Sequence, residues 1–438
     1  MRFSTVEVAA ATGGEASGLA EVDGAAIDSR AEVERRLFVA VVAERDGHDF
    51  VAAAVAEGAA AVLVERSMAG LDVAAVVVGD TTAALADLGR AARARLPELV
   101  VGVTGSVGKT TVKDLCAGAL GTSMRTTASE RSFNNELGVP LTLVNAAGDS
   151  EVVVLEMGAR GAGHISELCA IATPTIGVVT AVAAVHTETF GAIEDVARAK
   201  AELVGSLPAH GTAVLNADDR RVAAMAGVTA ARVLLVGLAG GSDVTARHVT
   251  LDEGLRPSFT MRTPWGATSV RLTVRGQHQV GNALAAAAAA LAAGAPLEAV
   301  AVGLGAPPAS PWRMALERAG SGLLVLNDSY NANPTSMAAA LRSLAALPAQ
   351  RRVAYLGTMA ELGPGSDAAH AATARLGADL GVTLVAVGEP AYGVEAVADV
   401  EAAMAHATAL GLGEADAVLV KGSRVAGLER LASALLAA

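Results

Sequence analysis

Along most of the chain, short runs of β-branched and aliphatic residues alternate with longer Ala-rich stretches. Apolar runs bounded by Gly or polar turns fit strands buried on both faces, and the Ala-rich stretches are long enough for helices. Strand followed by helix, many times over, predicts an α/β fold with parallel sheets covered by helices. The clearest predicted strands are 99–104, 152–157, 175–180, 213–216, 323–328, 353–357, 383–388 and 417–421. The last 130 residues or so repeat strand then helix four times, enough for a doubly wound domain of their own.

A chain of 438 residues exceeds what one hydrophobic core organises. Two segments read as boundaries: the stretch 95–98, and 303–311, where Pro307, Pro308 and Pro311 cluster. Three domains are therefore expected: an N-terminal α/β domain over 1–97, a central parallel-sheet domain over 98–309, and a C-terminal Rossmann-like domain over 310–438.

Apolar residues make up 52% but aromatics only 3%, which points to small-residue helix packing around sheets. The formal charge of −12 argues against a nucleic-acid surface, since phosphate-backbone binding draws on clustered Lys and Arg. Two cysteines, Cys116 and Cys169, make neither a disulfide framework nor a metal-site spacing, and fit a reducing compartment. The opening MRFSTVEVAA lacks the apolar stretch of a signal peptide. The Ala-rich run 283–293 is too short to span a bilayer, so no membrane insertion is expected.

The strongest local signal is VGVTGSVGKTT at 101–111, an apolar strand running into a glycine loop and a helix from about Lys109. Backbone N–H groups of Gly105, Ser106, Val107 and Gly108 can turn towards a phosphate, the helix N-terminus adds positive potential, and Lys109 can reach the terminal phosphate. Thr110 and Thr111 follow, with the Thr110 hydroxyl placed for Mg²⁺. Val103 stands where the longer phosphate-loop pattern has its first glycine, so the shorter TGxxGKTT form is present. Such a loop serves kinases, ATPases and ligases alike.

The residues after the loop are more specific. SFNNELGVP at 132–140, VLEMG at 154–158, HTETFGAIEDVARAK at 186–200 and GQHQVGN at 276–282 together resemble the Mur ligase family. On spacing alone His186 is an ordinary loop or core histidine. Lys200, in a helical run with Glu194, Arg198 and Glu202, reads as an exposed, salt-bridged lysine. The resemblance implies otherwise: Glu156 and His186 hold two Mg²⁺ ions that bridge the ATP phosphates, and Lys200 is carbamylated to help bind the second. It also implies that Asn134 and Asn135 meet substrate, that Asn282 meets the adenine, and that Arg313 reaches the ATP phosphates when the third domain closes.

NDSYNANP at 327–334 resembles the stretch that marks family members adding D-alanyl-D-alanine. Asp328 and Tyr330 are then expected at the nucleotide, and Asn331 and Asn333 where nucleotide and dipeptide meet. Taken locally, the same residues form an Asx-rich turn capping a helix from Pro334. GTMAELG at 357–363 and VKGSR at 420–424 resemble the same members, although Thr358 replaces a usual Asp and Ala181 a common Asn. DSR at 28–30, LFVA at 37–40 and RDGHDF at 45–50 resemble the family's UDP-binding domain, with Ser29 and Arg30 as uridine and diphosphate contacts. The resemblance implies a cytoplasmic, monomeric ATP-dependent ligase that joins D-alanyl-D-alanine to UDP-N-acetylmuramoyl-tripeptide through an acyl phosphate. Two rivals remain at this point: a ligase of the same fold adding a different amino acid, and a nucleotide-binding module that has lost its chemistry.

Overall fold

Five sheets carry the chain in a computed structural model that describes residues 1–68, 70, 72–183 and 190–438. The strand β1 (Arg2–Ser4) pairs antiparallel with β3 (Glu21–Asp23). The next sheet contains β2 (Glu15–Ser17), β4 (Ala25–Ala26), β5 (Leu37–Val39), β6 (Ala61–Val64) and β7 (Ala74–Val77), in the order β2-β7-β6-β5-β4. Only β2 runs antiparallel there. A helix, Thr81–Arg93, capped by the Asp80 carboxylate, leads to the central sheet.

The central sheet contains β8 (Val100–Thr104), β9 (Thr126–Ala128), β10 (Val152–Glu156), β11 (Ile176–Val179), β12 (Thr212–Asn216) and β13 (Arg232–Val236). All are parallel, in the order β13-β12-β11-β8-β10-β9. β8 lies between β10 and β11, where the direction of winding reverses, and ligands of open α/β sheets bind outside the carboxyl ends of strands at such a point. The phosphate loop leaves β8 there. The helix Lys109–Gly121 and the Ala-rich helix Gln279–Ala292 share one apolar cluster on one face of the sheet. Residues 283–291 are all buried, because alanine lets the helix approach its neighbours on every side.

Between the central and C-terminal sheets the chain forms three antiparallel strands, β14 (Thr245–Leu251), β15 (Pro257–Thr263) and β16 (Gly266–Arg271). The strand–helix periodicity gave no sign of this sheet. Its strands are half-exposed and mix polar with apolar residues, so they lack the continuous apolar runs that revealed the parallel strands.

The C-terminal sheet contains β17 (Ala315–Arg318), β18 (Leu324–Asn327), β19 (Arg351–Leu356), β20 (Thr383–Val387), β21 (Ala396–Val397) and β22 (Asp416–Lys421), in the order β17-β18-β22-β19-β20-β21. All pairs except β17–β18 are parallel. Leu326, Ala354 and Leu419 pack against Met337 and Leu341 on one face, while Val325, Tyr355 and Val420 pack against Val400 and Leu431 on the other. This is the doubly wound arrangement that the fourfold strand–helix repeat predicts. The helix Pro334–Ala346 starts as expected: Asn333 accepts from the Ser336 N–H at 2.9 Å and Pro334 occupies the first turn. Replacing Asn333 by alanine should lower stability by about 1 kcal/mol, read as a lower denaturant midpoint at unchanged m-value.

Candidate active site

Gly108 opens the phosphate-loop helix at φ 85°, a left-handed conformation, and a Cβ there would lie 2.6 Å from the Asn282 Oδ1. Residues 180–183 form the opposite wall of the loop. The Ser106 N–H donates to the Ala181 carbonyl at 2.7 Å, and the Thr180 hydroxyl to the Val107 carbonyl at 2.5 Å. The turn after β12 holds this wall in turn. Asn216 Nδ2 donates to the Thr180 carbonyl at 2.7 Å, and Asp219 accepts from the Val182 N–H at 2.8 Å.

Lys109 curls over the loop and donates to the Gly105 carbonyl at 2.9 Å. Burial depresses its ammonium below the ordinary lysine value, with Glu156 pulling it back up and Arg313 pushing it down. Thr110 donates its hydroxyl to Glu156 Oε2 at 2.7 Å, and Asn134 donates to Glu156 Oε1 at 2.7 Å. Glu156 ends β10 and is 1% exposed. Arg313 comes from the far side of the linker. Its Nη2 donates to Thr110 Oγ1 at 2.9 Å and to Ser132 Oγ at 3.2 Å, and its guanidinium lies 4.1 Å above the Tyr330 ring.

Lys200 departs from its local reading as an exposed, salt-bridged residue: it is 2% exposed. The neighbouring charges are engaged elsewhere. Arg198 pairs with Asp195, Glu194 with Arg221, and Glu202 accepts from the N–H groups of Gly163 and Ser166 at the start of the helix His164–Ala172. Burial and the charge of Lys109 push the Lys200 ammonium down to about 7, against the pull of Glu202. A signal for this was present in the sequence. Val196, Ala199, Lys200, Leu203 and Val204 form the buried stripe of the helix Ile193–Gly205, so the lysine lies on the apolar side of the helical repeat.

From the C-terminal sheet, Lys421 at the end of β22 donates to Asp328 Oδ2 at 2.5 Å and to the Asn331 carbonyl at 2.9 Å. Asp328 also accepts from the Met314 N–H at 3.0 Å, which ties the segment carrying Arg313 to the turn 328–333.

These groups face one cavity of about 1540 Å³. The residues singled out from sequence that line it are those at 105–111, Asn134, Asn135, Glu156, Lys200, Asn282, Arg313, Asp328, Tyr330, Asn331 and Asn333. Ser29 and Arg30 are not among the lining residues. Arg30 is exposed and donates to Asp28 at 2.9 and 2.8 Å, which holds the Asp28 carboxyl down at about 2. His186 lies outside the described residues. The lining also includes Lys421, from the VKGSR stretch, and Arg90, Arg160, His164 and Glu167, which no motif indicated because they come from two helices and the loop after β10. At the two departures from the family pattern, Ala181 and Thr358 present backbone carbonyls, to the N–H groups of Ser106 and Ser423.

A phosphate loop at the switch point of a parallel sheet, followed by a doubly wound domain whose arginine returns to that loop, defines a nucleotide-dependent enzyme with a shared inter-domain cleft. Residues 103–290 match the Mur ligase middle domain and residues 312–424 the Mur ligase glutamate ligase domain. The chain belongs to the Mur ligase family of ATP-dependent ligases. It is 41% identical over 504 aligned positions to UDP-N-acetylmuramoyl-tripeptide--D-alanyl-D-alanine ligase of Mycobacterium tuberculosis, covering 100% of this chain and 98% of that protein. The crystal structure of MurF from Acinetobacter baumannii is similar with a TM-score of 0.89 at 30% identity, covering 100% of this chain and 99% of that one. MurF ligase from Thermotoga maritima in complex with ADP has a TM-score of 0.81 at 27% identity, covering 94% and 97%.

Proposed function

We propose that this chain joins D-alanyl-D-alanine to UDP-N-acetylmuramoyl-tripeptide at the expense of ATP, completing the cytoplasmic UDP-linked pentapeptide precursor of peptidoglycan. The observation that carries the reading is the meeting of Lys109, Thr110, Glu156 and Arg313 on the cavity wall, with Arg313 against Tyr330 of the 328–333 turn. Full-length relatives that bear this enzyme's name support it. In this reading residues 1–97 hold the UDP end, 98–309 the ATP, and 310–438 the dipeptide. The enzyme acts as a monomer in the cytoplasm, with no nucleic-acid partner. Among the described residues no helix is long and apolar enough to cross a membrane.

A free carboxylate is a poor electrophile. The terminal carboxylate of the tripeptide therefore attacks the γ-phosphorus of ATP, the bond to the β-phosphate oxygen breaks, and ADP leaves an acyl phosphate behind. The free amine of the dipeptide then attacks the acyl carbon, phosphate departs with the C–O electron pair, and the nitrogen loses a proton. Lys109 and Arg313 supply fixed positive charge where the transferred phosphoryl group develops negative charge. A cleft bounded by three parts of the chain excludes water, which would otherwise hydrolyse the acyl phosphate.

Among the described residues no group of three His, Cys, Asp or Glu side chains surrounds a metal position. Mg²⁺ bound with phosphates needs only one or two carboxylates and water, so the Thr110 hydroxyl beside the Glu156 carboxylate fits it. Glu156 and Thr110 would hold one ion, and His186 with a carbamylated Lys200 a second. Bound Mg²⁺ neutralises phosphate charge. Burial keeps part of the Lys200 amine uncharged near neutrality, the form that adds CO₂ to give a carbamate and a proton. Replacing Lys200 by alanine should lower turnover about 10- to 100-fold, the range seen when a group supporting a metal site is lost. Small carboxylates such as formate or acetate should restore part of it, and no response to them would count against the carbamate.

The test of function is phosphate release from ATP with Mg²⁺ and UDP-N-acetylmuramoyl-tripeptide, with D-alanyl-D-alanine or single amino acids as nucleophile. Release that requires the dipeptide supports the reading. Release with a single amino acid moves the chain to another member of the family, and no release at all removes its catalytic role.

A further inference from the structure

The phosphate-loop helix Lys109–Gly121 presents Thr110, Asp114 and Gly118 four residues apart, on one face. Each meets a successive point of the segment leading into the C-terminal sheet, in reverse order. Gly118 faces Gly303 at the end of the helix Leu297–Gly303. A Cβ on Gly118 would lie 2.7 Å from the Gly303 carbonyl, and one on Gly303 would collide with the Gly118 carbonyl. Asp114 Oδ2 accepts from the Ser310 N–H at 3.1 Å. Thr110 Oγ1 accepts from Arg313 at 2.9 Å. The proline-bearing linker thus runs antiparallel along the helix whose first turn holds the phosphate loop.

The middle contact is charged and closed to water. The Asp114 side chain is 4% exposed and pairs with Lys113 at 2.6 Å, itself 2% exposed. Lys113 in turn donates to the carbonyls of Ser129 at 2.8 Å and Arg131 at 3.3 Å. Those carbonyls belong to the segment that places Ser132 and Asn134 against Arg313 and Glu156. Beyond the contact the backbone is strained: Trp312 and Met314, on either side of Arg313, have φ 57° and φ 53°. Ser310 Oγ and Arg313 Nε are buried with no hydrogen-bond partner among the described residues. A strained segment with unmet polar groups keeps one register only if something outside it fixes that register.

We propose that Asp114 is a positioning residue: by accepting the Ser310 N–H it sets the linker register that brings Arg313 to the phosphate loop, while Lys113 ties the 129–134 segment to the same point. This rests on the ligase reading for its assay, but Lys113, Asp114 and Ser310 are not among the residues that line the cavity.

A double-mutant cycle on turnover tests it. Ser310→Pro removes the N–H and leaves the Lys113–Asp114 pair in place; Asp114→Ala removes the acceptor. Each should lower kcat about tenfold while changing the KM for ATP less than threefold, and neither should lower kcat further in an Arg313→Ala background. Asp114→Asn, which keeps one acceptor oxygen for the Ser310 N–H but no charge for Lys113, should recover part of the loss. Equal losses with and without Arg313, or full activity of Ser310→Pro, would overturn the proposal. If Asp114→Ala fails to fold, Ser310→Pro alone completes the cycle. An inactive parent chain would instead count against the ligase reading, so the two failures are distinct.

Discussion

Replacing Lys109 by alanine should lower kcat at least about 100-fold at saturating ATP, tripeptide and dipeptide, the order expected when a main charge stabiliser of a transferred group is lost. The expectation follows from where the ammonium sits. Its nitrogen is 2.9 Å from the Gly105 carbonyl, within the phosphate loop and on the wall of the cavity, where burial already lowers the ammonium below the ordinary lysine value. Lys109→Arg should not restore the rate, because the larger planar guanidinium cannot take the place of a compact ammonium within the loop. The melting temperature should change little, since among the described residues the ammonium's acceptor is a loop carbonyl. Turnover within a few-fold of the parent would remove the phosphate-loop assignment.

Asp328→Ala should destabilise the C-terminal part of the chain by about 3–5 kcal/mol, the cost of leaving a buried charge without its partner. Lys421 is 2% exposed at the side chain and Asp328 14%, so the ammonium would keep the Asn331 carbonyl as acceptor but lose its counter-charge. The same carboxylate holds the Met314 N–H, so the segment carrying Arg313 should loosen as well, and kcat should fall with stability. The second substitution of the pair separates the two effects. Adding Lys421→Met to Asp328→Ala removes the stranded ammonium and should recover most of the stability but not the rate. A drop in the unfolding midpoint no larger than that of a surface substitution would show that the ion pair is unimportant to the fold.

Much of this architecture was legible from local pattern. The predicted strands 99–104, 152–157, 175–180 and 383–388 lie within a residue or two of β8, β10, β11 and β20, because strands buried on both faces need unbroken apolar runs. The phosphate loop was legible for a similar reason. Its glycines, lysine and threonine are consecutive, so their geometry follows from the strand–turn–helix they occupy. The antiparallel strands between 245 and 271 were not legible, since half-exposed strands with mixed faces carry no comparable signal.

By itself, then, the sequence determined the α/β class, the place of the phosphate loop and the family resemblance, all of which depend on residues close together in the chain. The surroundings of each side chain were decided only in three dimensions. Arg313 reaches Thr110 across 203 residues, and Lys421 meets Asp328 across 93. Lys200, with acidic and basic neighbours at helical spacing, turned to the core because the stripe it shares with Val196, Ala199, Leu203 and Val204 packs inward. Arg30, expected at the ligand, is held by Asp28 two residues away and faces solvent. A charged side chain's solvation and partners depend on which distant segments pack around it, and spacing along the chain does not contain that information.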